Sequence, residues 1–449
     1  MVVFVLFFSI HCAPAQQATS STQDSSISVE SGPYYSTMTG TVMSGYQGWF
    51  SCPGDGAELG WVHWGRRDFR PGEATVDMWP DMSEYGPDER YETGFQYADG
   101  TTATVFSSFN EATVRRHFSW MAEYGLDGVF LQRFGVRLRP GSKALRHCDQ
   151  VMLNCRKGAN EHKRAWALMY DLSGLPKGGT QRIIDDWRYL VDTFRVARDP
   201  ADRAYLHHSG KPVVAVWGIG FSDNRKYTLQ ECGKLLDFLK NDPKYGGQTV
   251  MIGIPSYWRT AGPDSVKDPY RLEVFAKADI LSPWSVGRYG SENPEKLNQY
   301  VQNVWVGDMK WCREQGKDYL PVVFPGFSWH NLKHGQSPLN QIPRKGGQFL
   351  WQQYYQAIKQ ARVTMVYQAM FDEVDESTAI FKVTNNPPVG PTPFVTYEGL
   401  PSDHYLWLVG QAARMLHREI PLTEALPQRP GVQAEQSSRT PRPVWSEGF

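Results

Sequence analysis

At 449 residues the chain is long enough for one large barrel or two ordinary domains, and its 47 Lys and Arg balance 47 Asp and Glu. No global field therefore draws it to nucleic acid or to an anionic membrane surface. Sixteen Trp, 22 Tyr and 22 Phe exceed what a core of this size requires, and many stand beside Gly, Pro or polar residues, where a ring face suits a sugar as well as a core.

Val2 to Ile10 is an apolar run of signal-peptide length, and Ala13-Pro14-Ala15 before Gln16 offers the small residues of a cleavage site. Residues 1–15 thus read as a signal peptide and the protein as secreted or periplasmic after cleavage. The run is too short to span a bilayer and no second segment reaches that length, so no stable membrane insertion is expected. Residues 16–33, rich in Ser, Thr and Gln, read as a disordered linker. Beyond the leader, Cys52, Cys148, Cys155, Cys232 and Cys312 form neither a disulfide framework nor a zinc spacing. Cys148 and Cys155 are close enough in sequence for one bridge, but on a continuous helix they stand two turns apart and do not meet.

The first strand is Thr41 to Tyr46, followed by Gln47-Gly48-Trp49-Phe50, a Gly-rich loop and Trp61-Val62-His63-Trp64. Residues 65–104 read as a β-rich insertion with a turn at Ala98-Asp99-Gly100-Thr101. Strands and helices then alternate. Asn110 caps a helix that Gly125 ends, and strands follow at 127–133, 164–171, 211–217, 249–254, 280–284 and 319–324. The helices between them fall near 142–155, 180–194, 228–239, 269–277, 294–314 and 349–360. Eight β/α units without a Gly-rich phosphate turn after the first strand predict a (β/α)₈ TIM barrel over residues 34–420. A closing amphipathic helix covers 404–418, and residues 421–449 read as a disordered C-terminal tail.

The eighth strand, from Arg362, is expected to run to Glu373 and so deliver Asp372, Glu373, Asp375 and Glu376 to the barrel mouth. Glu373 and Glu376 are close enough to repel, so that one keeps a proton as general acid while the other stays ionised as base. Glycoside hydrolysis needs such a pair. A plainer reading fits the same residues: Asp372 caps a short helix whose positive end favours Asp375 and Glu376.

The other strand ends bring candidate sugar contacts to the same rim: Tyr46, Trp49, His63 and Trp64 near strand one, Gln132 and Arg133 on strand two, Tyr170 and Asp171 on strand three. Trp217, Tyr257, Trp284, Phe327 and Trp329 follow from strands four to seven, and Asp372 and Asp375 complete the set. Amides and charges suit hydroxyls and aromatics suit ring faces, so an oligosaccharide or polysaccharide is the expected partner. No cofactor and no metal is implied, and the oligomeric state is not legible.

Gly45-Tyr46-Gln47-Gly48-Trp49-Phe50 with Trp61-Val62-His63-Trp64, then Phe324-Pro325-Gly326-Phe327, then Asp372-Glu373-Val374-Asp375-Glu376-Ser377-Thr378 resemble glycoside hydrolase family 99 and its relatives in family 71, over about Thr41 to Met415. The resemblance implies a barrel that cleaves α-mannosides endo-wise with retention. It also implies that Glu373 acts as a base toward the sugar's own 2-hydroxyl, giving an epoxide-like intermediate, and Glu376 as the acid/base on the departing oxygen. Asp372, Val374 and Asp375 stand where that family has Asn, Trp and His, and Gln47-Gly48-Trp49-Phe50 where it has Pro-Trp-Tyr-Gly. The alternative is a barrel of the same fold that binds glycan without cleaving it. A hydrolase of another class, such as a metal-dependent esterase, would call for a histidine-rich ligand set or a Gly-x-Ser-x-Gly elbow, and the sequence carries neither.

Overall fold

The apolar, β-branched runs form eight parallel strands, Val42–Tyr46, Gly128–Phe134, Ala165–Asp171, Lys211–Trp217, Thr249–Pro255, Ile280–Trp284, a seventh in two pieces (Asp318–Tyr319 and Val322–Val323) and Val366–Gln368. The computed structural model describes residues 32–430 together with Met1. The expected signal peptide, nearly all of the linker and residues 431–449 lie outside the described residues.

Each strand pairs with the next in sequence, and the eighth pairs with the first, Val42 opposite Val366. The seventh is divided between two neighbours. Its first piece pairs with Ile280–Trp284 and its second with Val366–Gln368, so the ring of strands begins and ends within residues 318–323. Pro321, which has no N–H to give, sits at the break, while its carbonyl accepts from the Tyr367 amide at 2.9 Å. The result is the expected (β/α)₈ barrel.

The helices start and stop where their caps say. The Asn110 side chain accepts from Ala112 N at the start of Glu111–Tyr124, and Gly125 ends it at φ 79°. Ser142 caps Lys143–His162, and Thr228 with Glu231 forms a capping box on Leu229–Asn241. Cys148 and Cys155 both lie on the helix Lys143–His162 and are free thiols. Among the described residues no helix is long and apolar enough to cross a membrane. Among the described residues eight Trp are fully buried and serve the core.

The insertion, residues 65–104, holds one hairpin, Tyr91–Gln96 with Thr102–Val105, a 3-10 turn at Pro87–Glu89 and isolated β-bridges at Gly65–Ala74, Met78–Val395 and Pro80–Val383, packed around a cluster of Phe69, Trp79, Phe95 and Phe394 rings. Two boundaries differ from expectation. The eighth strand stops at Gln368. After it, Phe371 N donates to Gly45 O, and Met370 N and Ile380 N reach Thr378 O and Met370 O, folding residues 370–380 back as a loop. Residues 421–430, expected in the tail, are held on the barrel: the Trp351 indole donates to Thr423 O at 3.1 Å, and Arg429 grips Asp403 with two nitrogens at 2.5 and 2.8 Å.

Candidate active site

The four carboxylates sit on the loop after strand eight and do different work. Asp372 is fully buried, and its two oxygens accept from the backbone N–H groups of Gln47 at 2.7 Å and Gly48 at 2.9 Å. That grip needs the backbone to turn at Gly48, whose φ is 57° and where a Cβ would come within 2.8 Å of Val151 Cγ1. Glu373 accepts from the Gln47 side-chain Nε2 at 2.9 Å. Asp375 turns away to meet His63 Nδ1 at 2.9 Å, and the His63 ring lies flat on Trp49, centroids 3.6 Å apart and planes 3° from parallel. Glu376 holds the loop after strand seven through its backbone, Ser328 N donating to its carbonyl at 3.0 Å.

Side chains from six strand ends converge on one cleft of about 210 Å³ lined by Gln47, Trp49, Gln132, Asp171, Trp217 and Trp284 together with Glu373, Glu376, Phe134, Ser173 and Met370. Both glutamates are thus at the mouth, as the sequence suggests, carried there by a loop and not by the strand itself. Trp217 and Trp284 meet edge to face at 5.6 Å, and Trp49 is flanked by His63 and by Phe134 at 5.1 Å. Asp171 accepts from Ser173 N at 2.6 Å.

Burial dominates the electrostatics. Loss of hydration raises Glu373 well above the carboxylate range, and Glu376 and Asp375 add to this by repulsion while the Gln47 amide opposes it. Glu376 is raised to about 7, first by burial and then by Asp375, with Lys333 pulling the other way. Asp372 also rises to about 7 through burial, against the two N–H bonds it accepts. Asp171 is raised by the same loss of water.

Several expected contacts do not line this cleft. Tyr46 is buried, its hydroxyl 2.8 Å from His117 Nδ1. Trp64 is a core residue whose indole donates to Phe106 O at 3.0 Å. Arg133 is buried on the outer side of strand two, where it holds Asp186 at 2.6 and 2.7 Å and Asp149 at 2.7 Å, and Tyr170 donates to the same Asp186 at 2.7 Å. Asp372, His63 and Asp375 stand behind the cleft wall and hold its residues in place. Tyr257 packs edge-on to Tyr300 at 6.1 Å. Phe327 and Trp329 pack on each other at 5.0 Å, with Lys333 Nζ 4.5 Å above the Trp329 ring.

A residue of this region that the sequence did not reveal is Asp77. Its buried carboxylate accepts from Ser328 Oγ at 2.5 Å, His330 N at 2.6 Å and Asn331 N at 2.7 Å, fixing the loop after strand seven beside Glu376. Nothing in the local sequence of the insertion marks it.

The chain matches no family model, and no curated protein matches it. Solved structures do. A glycoside hydrolase family 99 endo-α-mannosidase from Bacteroides thetaiotaomicron superposes with a TM-score of 0.60 at 15% identity, over 86% of this chain and 100% of that one. The same protein in complex with bis-tris-propane gives 0.59 at 15% identity, over 85% and 99%. At this identity the likeness establishes the fold: the barrel, and nearly the whole length of the neighbour, are shared. The sequence resemblance and the structural likeness thus lead to the same architecture.

Proposed function

We propose that the protein is a glycoside hydrolase that cleaves α-linked glycans with retention, using Glu373 and Glu376 as its acid pair. The observation that carries this reading is the convergence of both glutamates on one cleft walled by Trp217, Trp284, Gln132 and Asp171. An acid pair, hydroxyl-binding groups and aromatic surface are what glycosidic cleavage requires in one place. The fold shared with an endo-α-mannosidase makes α-mannosides the first substrates to try.

In this reading Glu376, one of two carboxyls that burial raises, carries the proton delivered to the departing oxygen. Glu373, whose ionised form the Gln47 amide supports, draws the proton from the sugar's 2-hydroxyl as that oxygen attacks the anomeric carbon. Two carboxyls crowded in one buried cleft share a proton near neutrality, and the working state is the one with a single proton on the pair. Activity should therefore rise and then fall with pH, and both limbs belong to the pair.

The test begins with digestion of α-mannan and α-glucan polysaccharides, with product analysis. On the substrate so found, Glu373→Gln and Glu376→Gln should each lower the rate about 10²–10⁴-fold without loss of folding, and activated aryl glycosides should spare Glu376→Gln in the first step. Near-wild-type rates for both variants would refute the assignment. Binding of a mannan or glucan that raises the melting temperature, with no product released, would instead mark a glycan-binding barrel.

A further inference from the structure

Gln47 is the first residue beyond strand one, and it is tied twice to the acid loop. Its backbone N–H goes to Asp372 at 2.7 Å and its side-chain Nε2 to Glu373 Oε2 at 2.9 Å. Because Asp372 also takes the Gly48 N–H at 2.9 Å, the position from which the side chain departs is fixed by the neighbour of the residue it reaches. Among the described residues the other side-chain hydrogen bond to Glu373 Oε2 is a long one, 3.5 Å from Thr378 Oγ1. Gln47 is buried, and its Oε1 has no hydrogen-bond partner among the described residues.

We propose that Gln47 is a positioning residue for Glu373: its amide N–H pins Oε2, leaves Oε1 to the cleft, and selects the ionised carboxylate that can act as a base. An amide N–H finds a lone pair on either oxygen of a carboxylate, whereas on a protonated carboxyl it competes with the proton, so its bond is worth most when the group is charged. This counters the crowding around Glu373. On its own loop stand Asp372, Asp375 and Glu376, with His63 facing Asp375 and Lys333 acting on Glu376. Across the barrel Asp171 lines the same cleft, and the Tyr367 hydroxyl on strand eight feels Glu373. Burial and three carboxylates push Glu373 toward its neutral form, and the Gln47 bond is the largest opposing influence.

The inference rests on the reading of Glu373 as the base, so its test has one arm that needs no substrate. Water-soluble carbodiimide reacts with protonated carboxyls, so labelling of the Glu373 peptide against pH, read by mass spectrometry, reports where that residue loses its proton. In Gln47→Leu the labelling limb should move up by about one pH unit, the equivalent of one lost charge-assisted bond. The acid limb of activity on the polysaccharide found by digestion should move with it. Below that limb the variant loses about tenfold in kcat, and above it the rate returns toward wild type with KM little changed. A purely structural role would lower the rate equally at every pH. Melting temperature checks the fold, and Gln47→Met, closer in shape, serves if Gln47→Leu unfolds. An unmoved labelling limb in a folded variant overturns the inference whatever Glu373 does in catalysis. If Glu373→Gln is fully active while the labelling limb does move, the catalytic reading fails and the positioning of Glu373 by Gln47 stands.

Discussion

Two adjacent parts of the barrel wall use polar residues to opposite ends. Inside the mouth, Gln132 at the end of strand two and Asp171 at the end of strand three face the cleft. One residue away on the same strands, Arg133 and Tyr170 face outward and are sealed with Asp186 of the helix Thr180–Phe194. Successive side chains on a strand point to opposite faces, so of two neighbouring polar residues at a strand end only one can enter the barrel. Composition cannot tell the pairs apart. The register can, since Gln132 lies opposite Met169 and Phe134 opposite Asp171 in the pairing of strands two and three, and Gln132, Phe134 and Asp171 share the inner face.

The outer pair should govern stability and the inner one activity, and the largest effect that separates them lies outside. Arg133→Met strands the buried Asp186 and the part-buried Asp149 without their cation, and should cost about 3–5 kcal/mol, as breaking one side of a buried pair does. Chemical denaturation measures it. Replacing the most buried pair together, Arg133→Met with Asp186→Leu, should recover much of that loss, because the carboxylate then left without its cation, Asp149, is only part-buried. If Arg133→Met instead shifts the pH profile of a stable enzyme, the division between the two faces is wrong.

A second, smaller effect tests the inner face through its charge. Asp372 has a folded value of about 7 against an ordinary value near 4. Below about pH 4 both the folded and unfolded carboxyl are protonated and the group contributes nothing. Between about 4 and 7 the unfolded chain releases the proton while the folded one keeps it, so stability falls as pH rises, and above about 7 the full penalty is present. Glu373 and Glu376, also raised, act in the same direction. The melting temperature should therefore drop from pH 5 to pH 8. Asp372→Asn should flatten that slope while weakening the hold on Gly48 by the one N–H bond an amide oxygen cannot replace, about 1 kcal/mol. An unchanged slope would show that Asp372 is ionised in the native protein at pH 5.

The order of the elements was legible because it is written locally. Asn110, Ser142 and Thr228 mark helix starts, and the runs 211–217 and 280–284 appear as strands over those residues. The placement of Glu373 and Glu376 at the barrel mouth was legible as well, since an apolar run ending in carboxylates is a feature of neighbouring residues. The contacts that shape the cleft were not. His63 meets Asp375 from 312 residues away, and Asp372 takes the Gln47 amide from 325 away. Such pairs depend on the barrel closing, and neither partner's surroundings in sequence record the other. The same holds for Asp77, whose three bonds cross more than 250 residues to the loop after strand seven.

The smallest expected effect concerns the aromatic rim, where the comparison of inward and outward residues is sharpest. Trp284 lines the cleft, with Trp217 and Tyr367 meeting it edge to face at 5.6 and 5.9 Å, so it can still offer surface to a sugar. Trp329 lies outside that lining and is covered by Lys333 and Phe327. An aromatic contact of this kind is worth about 0.5–1.5 kcal/mol beyond the area it buries, so Trp284→Ala should raise KM on the polysaccharide substrate about three- to tenfold. Because Trp284 is only half buried, its melting temperature should fall modestly. Trp329→Ala should leave KM within twofold. Equal increases in KM would extend the binding surface across the loop after strand seven, and the walls of the cleft would then be the wrong boundary for substrate recognition. A rise confined to Trp284 ties recognition to the inner face of the barrel, where the strand register places it.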